Sequence, residues 1–185
     1  MEIAVFDLDR VLFDTNAYMK EIKRRMREKG IDPEKIFREA VRNGRKDLST
    51  IYKAVSRICD PEELLFSGVE KFVPENVRQM VKKIREKFDI AVVSVGDGLQ
   101  KRKLKVLNVR KVVLVRSDDE KIEIVREIMP VVFVDDKREI VERAREEGIN
   151  AFQAVWFLDR NFRRRAMGDA LQSPEEVLEV MGWRK

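Results

Sequence analysis

Asp7 and Asp9 stand one residue apart after the apolar run Ile3-Ala4-Val5-Phe6, and Asp135 and Asp136 stand together after a second run, Val131-Val132-Phe133-Val134. Runs of this length and composition read as short buried strands. Ligands of open α/β sheets bind where strands end at their carboxyl side, so both acidic pairs are expected at one sheet edge. Ser94 follows a third such run, Ile90-Ala91-Val92-Val93, and Lys121 opens the helical pattern before the 131–134 strand. Two carboxylates about 4 Å apart repel by roughly 4 kcal/mol at an effective dielectric near 20. Three or four together are costly unless a cation sits among them. Oxygen-only ligands without His or Cys favour a hard cation, with Mg²⁺ the default. A carboxylate facing a metal-bound phosphate, with a second carboxyl one residue on, suits covalent phosphoryl transfer. The first attacks phosphorus and the second moves the proton.

The rest of the composition narrows the chemistry. Among 185 residues there is no histidine and one cysteine, Cys59. That excludes Ser-His-Asp and Cys-His catalysis, a histidine base, the usual zinc sites and an intramolecular disulfide. Apolar residues reach 44%, enough for one core of normal size rather than a disordered chain. Charged residues reach 39%, a balance that resembles heat-stable proteins and bears on stability alone. The net charge of +5 is spread along the chain, so a nucleic-acid partner is permitted but not expected. Arg163-Arg164-Arg165 lacks an aromatic stacking series and reads as a solvated loop. No apolar run approaches the ~20 residues of a membrane span, and Met1-Glu2-Ile3 lacks a basic leader. The expectation is a cytoplasmic protein with no membrane partner; the sequence sets no oligomeric state.

These side chains need a frame. From residue 74 onward, helical and strand patterns alternate, with strands over 90–93, 112–115, 131–134 and 151–156. Together with 3–6 this predicts an α/β fold: a three-layer, Rossmann-like core with a parallel sheet of about five strands. Between 15 and 72 the pattern is helical throughout. Asp14, Thr15 and Asn16 are N-cap candidates for a helix bearing Tyr18, Ile22 and Met26. A second carries Ile36, Phe37, Ala40 and Val41 and closes at Asn43-Gly44. A third carries Leu48, Ile51, Tyr52 and Val55, and Asp60-Pro61 opens a short fourth. Later, a helix is expected over Leu99–Leu107. Pro74 reads as a first helical residue, and Ser173-Pro174-Glu175-Glu176 as a capping box. The expected organisation is a core of 1–14 and 73–185 with a small helical domain, 15–72, inserted after the first strand.

Asp7-Leu8-Asp9-Arg10-Val11-Leu12 resembles motif I of the haloacid dehalogenase superfamily, Asp-x-Asp-x-(Thr/Val)-(Leu/Val) after an apolar strand. Ser94, Lys121 and Asp135-Asp136 with Glu139 resemble motifs II, III and IV in order, and the helical insertion falls where that family places its C1 cap. The resemblance spans the whole chain. It implies a Mg²⁺-dependent phosphatase acting on a small phosphorylated metabolite through an aspartyl-phosphate. In it Asp7 is the nucleophile and a metal ligand. Asp9 is the general acid and base, with its carbonyl on the metal. Asp135 is a metal ligand, and Asp136 a ligand through water or a support. Ser94 and Lys121 bind the phosphoryl group. Asp9 favours phosphotransfer, because dehalogenases of the family lack an acid there. Two features depart from the pattern. Arg10 stands where small residues are common, and Lys121 is close to Asp135, which keeps Lys103 and Lys105 as reserve candidates. Asp136 also fits a helix cap, Glu139 a surface helix residue, and Asp97 a turn. The alternative function is a non-catalytic Mg²⁺- or phosphate-binding regulatory protein on the same fold. A receiver-type signalling domain would carry its acidic pair and its phosphorylated Asp in the reverse order.

Overall fold

The computed structural model describes residues 2–42 and 48–183, with the backbone alone for residues 39–42. Five strands form one sheet: β1 (Ile3–Phe6), β2 (Asp89–Val95), β3 (Lys111–Val115), β4 (Val132–Asp135) and β5 (Ala151–Gln153). Their spatial order is β3-β2-β1-β4-β5, and every pairing is parallel. Helices α1 (Thr15–Glu28), α2 (Pro33–Arg42), α3 (Leu48–Val55) and α4 (Pro61–Phe66) follow β1. Later come α5 (Glu75–Ile84), α6 (Asp118–Ile128), α7 (Arg138–Glu146), α8 (Arg160–Arg163) and α9 (Pro174–Val180). Among the described residues no helix is long and apolar enough to cross a membrane.

Successive strand residues point to opposite faces, and the strands are apolar at both because helices cover both. Ala4, Phe6, Val92, Val132 and Val134 join one core with Val77, Met80 and Ile84 of α5 and Val177 of α9. Val5, Ala91, Val93 and Phe133 join the other with Val125 of α6 and Ile140, Val141 and Ala144 of α7. The Val, Ile, Met and Phe side chains among them each contribute about 1.5–3 kcal/mol on burial. This is the three-layer α/β architecture expected from the alternation.

The helical segment after β1 is tied in at both ends. The Asp14 carboxylate caps α1 by accepting the Ala17 N–H at 2.9 Å. Tyr18, Ile22 and Met26 recur every four residues and are buried in the same core as Phe6 and Val92. The Asp14 N–H donates to the Phe72 carbonyl at 2.8 Å, so the chain leaves and rejoins the sheet region at one place. There the rings of Phe13, Tyr18 and Phe72 meet pairwise at 5.2, 5.4 and 5.9 Å between centroids. The far side is tied as well: the Ser49 N–H donates to the Asp97 carboxylate at 2.9 Å, and Arg102 pairs with Glu62 and lies over the Phe66 ring.

Several boundaries differ from the expectation. Residues 98–107 form a 3-10 helix (Gly98–Leu107) instead of an α-helix. Its three-residue repeat places Gln100 and Lys103 on one edge. β5 stops at Gln153, and Ala154 makes only an isolated bridge, to Leu171. Pro74 is the N-cap residue of α5, outside the helix. The capping box is not formed: Ser173 makes no side-chain cap, and Glu176 accepts the N–H of Gln172 at 2.8 Å. The Asn43-Gly44 stop and the side chains of Ala40 and Val41 lie outside the described residues.

Phe72→Ala removes the ring that joins both ends of the helical segment. It should cost about 3–5 kcal/mol of unfolding free energy in urea titrations. A loss under about 1 kcal/mol would show that the ring cluster does not seat the segment.

Candidate active site

β1 and β4 are neighbours, so Asp7 and Asp135 leave the sheet side by side. The Asp7 N–H donates to the Val134 carbonyl at 2.8 Å, extending the ladder one residue. Ser117 Oγ caps α6 by accepting the Glu120 N–H at 3.2 Å. That cap sets the first turn, from which Lys121 reaches between the two acids. Its Nζ donates to Asp7 Oδ1 at 2.7 Å and to Asp135 Oδ2 at 2.8 Å. Lys121 is only 2% exposed and Asp135 fully buried. Asp135 Oδ1 accepts the Lys137 N–H at 2.9 Å. Asp136 lies alongside, and the three residues Asp7, Asp135 and Asp136 each offer a carboxylate oxygen within 4.8 Å of the others.

The loop after Asp7 folds over the Leu8 carbonyl, which accepts the N–H groups of Leu12 and Phe13 at 3.0 and 3.1 Å. The turn places Arg10 at φ 61°, a left-handed conformation that costs a residue with a Cβ roughly 1–2 kcal/mol. From there Arg10 Nη1 donates to Asp136 Oδ2 at 3.1 Å, and Nε to Asn16 Oδ1 at 3.4 Å. Asp9 has a different set of partners. Its Oδ1 accepts from Lys103 Nζ at 2.7 Å and from Thr15 Oγ1 at 2.5 Å, and its Oδ2 from Gln100 Nε2 at 3.4 Å.

Four carboxylates therefore meet three side-chain cations, Lys121, Arg10 and Lys103. This corrects part of the electrostatic expectation: the protein answers most of the repulsion itself. An excess remains around Asp7. Burial pushes its pKa up, Lys121 opposes this, and Asp135, Asp136 and Asp9 push it further, to about 7. Burial and Asp135 raise Asp136 to about 6, against the Arg10 guanidinium. Burial also acts upward on Asp9, but the charge and hydrogen bond of Lys103 and the Thr15 hydroxyl more than offset it, leaving the pKa below the usual range. For Lys121, burial favours the neutral amine and the two aspartates outweigh it, so the net shift is upward. Oxygen donors around one under-neutralised carboxylate are a chemical match for a hard divalent cation.

Of the six residues singled out, the structure joins Asp7, Lys121, Asp135 and Asp136 in one cluster. Asp9 adjoins it with its own partners. Ser94 is buried near the end of β2 and hydrogen-bonds none of the four carboxylates. Lys103, held in reserve as a phosphate ligand, instead pairs with Asp9, and Lys105 is exposed. Asp136 does not cap α7; Lys137 occupies that position, without a side-chain cap. Glu139 is exposed as expected for a helix surface. Asp97 is more than a turn residue, since it caps the 3-10 helix and holds Ser49. Arg163 braces its loop by donating to the Trp156 carbonyl at 2.6 Å. Sequence reasoning missed the partners of Asp9. Thr15 read as a cap, and Gln100 carried no signal.

No protein-family model matches the sequence, and no curated protein matches it. Solved structures do match over nearly the whole chain. A haloacid dehalogenase-like family hydrolase from Streptococcus pneumoniae superposes with a TM-score of 0.62 at 15% identity, covering 98% of each chain. The chain has the fold of the haloacid dehalogenase-like hydrolases. Magnesium-bound YfnB from Bacillus subtilis shares this fold with a TM-score of 0.62 at 12% identity, over 98% of this chain and 99% of its own. A 2-haloacid dehalogenase from Pseudomonas syringae shares it with 0.59 at 16% identity, over 98% of each.

Two stability measurements probe the site. Both Arg10→Gly and Arg10→Ala lose the contact with Asp136, but only the glycine is at ease at φ 61°. The glycine variant should be the more stable by about 1 kcal/mol; equal stability would mean that the backbone there is unstrained. The second concerns pH. Because Asp7 has a folded pKa near 7 and an unfolded value near 3.8, the folded state holds its proton longer, and this contribution to stability is lost as pH rises from about 4 to 7. Without divalent cations, wild type should lose more stability across that window than Asp7→Asn. Parallel curves would contradict the raised pKa.

Proposed function

We propose that this chain is a Mg²⁺-dependent phosphatase of the haloacid dehalogenase superfamily, acting on a small phosphorylated metabolite. The observation that carries the reading is the pairing of two aspartates one residue apart with separate cations, Asp7 with Lys121 and Asp9 with Lys103. Without a cation the shifts run against the nucleophile and acid roles, Asp7 upward and Asp9 downward, so those roles depend on the cation to ionise Asp7 and on the substrate phosphate to raise Asp9. Residues 1–14 and 73–185 act as the core, and residues 15–72 as a cap over the site.

Asp7, Asp135 and the carbonyl of Asp9 would hold the cation, with Asp136 beside them. The bound ion supplies the positive charge that keeps Asp7 ionised near neutral pH and draws in the phosphate. Asp7 attacks phosphorus, and the bond to the leaving oxygen breaks. Lys121 neutralises charge on the phosphoryl group, and Ser94 hydrogen-bonds it. The substrate phosphate next to Asp9 raises its pKa, so Asp9 can carry the proton delivered to the leaving oxygen. It then takes a proton from the water that hydrolyses the aspartyl-phosphate, which returns Asp7. Dehalogenation, the activity named for the Pseudomonas syringae protein, releases halide, which needs no proton. An acid held by Lys103, Thr15 and Gln100 has a purpose when an alcohol must leave. The magnesium in YfnB supports the metal assignment.

The test is hydrolysis of a generic aryl phosphate. Activity should need Mg²⁺, fall to background in Asp7→Asn, and drop about 10²–10⁴-fold in Asp9→Asn. Full activity in Asp7→Asn would sink the nucleophile assignment. Mg²⁺-dependent stabilisation by phosphate without turnover would assign a binding role instead.

A further inference from the structure

The two edges of the sheet are finished differently. At one edge, β5 is covered by the chain that follows it. The Leu171 N–H donates to the Gln153 carbonyl at 2.8 Å, the Val155 N–H to the Leu171 carbonyl at 3.0 Å, and Ala154 bridges to Leu171. At the other edge, β3 has no such cover among the described residues. Its middle, Val112-Val113-Leu114, is apolar and half-buried. Open edges are commonly guarded by a charge, a proline or a bulge within the strand; this stretch carries none of them.

The ladder with β2 fixes where each backbone group of β3 points. The Gly96 N–H donates to the Val115 carbonyl at 3.1 Å, so Val115 turns its polar groups toward β2. The direction alternates along a strand, so Lys111 and Val113 do the same, and Val112 and Leu114 turn theirs to the open side. The N–H and C=O of Val112 and of Leu114 have no partner among the described residues. Arg116, the next residue facing that side, is already engaged: its N–H donates to Glu120 Oε2 at 2.7 Å. The open stretch therefore ends at Leu114.

We infer that β3 is an interaction edge whose partner is a second copy of this chain, paired antiparallel about Val113 into one continuous sheet. A two-fold axis through Val113 sets Val112 opposite Leu114 of the second copy, and each such pair exchanges both of its N–H···O bonds. Every outward group of the stretch is then used. Sliding the pairing by two residues draws in either Arg110 or Arg116, whose N–H is taken. Charge also favours the antiparallel sense. β3 starts at the basic pair Arg110-Lys111, and beyond Arg116 the first turn of α6 is acidic at Asp118, Asp119 and Glu120. Antiparallel copies set each basic start beside the other's acidic turn, whereas parallel copies would set like charges together. The inference does not depend on the phosphatase reading. β2 separates β3 from β1, and no residue of the carboxylate site lies on β3.

The strand contact is short, so association should depend on concentration. Sedimentation velocity on the full chain should show the mass rising from one chain toward two between about 1 and 200 μM. Leu114→Pro deletes an outward N–H and leaves the ladder with β2 intact. It should keep the far-UV circular dichroism spectrum and stay monomeric throughout. Crosslinking reads the register, in a Cys59→Ser background that removes the native thiol. Opposed residues of a non-hydrogen-bonded antiparallel pair have Cα atoms about 4.5 Å apart, within the disulfide range of about 4.4–6.8 Å. Leu114 and its own copy would be about 8 Å apart, beyond that range. Val113→Cys should therefore oxidise to a covalent dimer, and Leu114→Cys should not. A single-chain mass at every concentration, a dimer that folded Leu114→Pro leaves intact, or equal crosslinking at the two positions overturns the inference. The crosslinking comparison decides the matter alone if Leu114→Pro fails to fold.

Discussion

One buried ammonium, Lys121 Nζ between Asp7 and Asp135, is the contact on which the site depends. Two carboxylates at the ends of adjacent strands cannot both be ionised in an apolar setting without a positive charge between them. Taking one member from such a buried set typically costs 3–5 kcal/mol. Everything around it serves the meeting. The parallel pairing of β1 with β4 brings the acids together, and the Ser117 cap starts α6 so that its first turn delivers the lysine. The apolar layers on both sheet faces keep water from replacing the contact.

The same logic, repeated, separates the two halves of the site. Arg10 attends Asp136, and Lys103 attends Asp9. Asp7, Asp135 and Asp136 remain as an oxygen-lined cluster with an excess of negative charge, while Asp9 faces a chamber beneath the helical segment. Arg10 reaches Asp136 only from a left-handed backbone. That strain is the local cost of bringing a cation into the turn where glycine would be unstrained. The helical segment completes the arrangement through Thr15, which begins α1 and also donates to Asp9.

Much of the fold was legible in the sequence because its signals are local. The β-rich runs ending in aspartate, the four-residue spacing of Tyr18, Ile22 and Met26, and the strand–helix alternation after residue 74 each reflect a period that burial imposes. The five parallel strands and the helices between β1 and α5 followed from them. The end of β5 was less legible, since strand length depends on what the neighbouring strand can pair. The 3-10 helix at 98–107 was missed because its apolar spacing fits either helix type. In the site, the acids and Ser94 announced themselves by position after apolar runs, and Lys121 by opening the helix before the 131–134 strand. Their pairings did not. Lys103 meets Asp9 across 94 residues and Arg10 meets Asp136 across 126, and no local pattern records such contacts. Gln100 had no charge or motif to mark it.

The central claim is that Asp7 is the carboxylate that reacts, with Lys121 and Asp135 arranged around it. Rapid acid quench of the enzyme with Mg²⁺ and a radiolabelled phosphate ester, followed by peptide mapping, measures this directly. The account predicts transient, hydroxylamine-labile label on the peptide that carries Asp7. Turnover in a single-turnover experiment with no label on the protein, or label on another peptide, would contradict it.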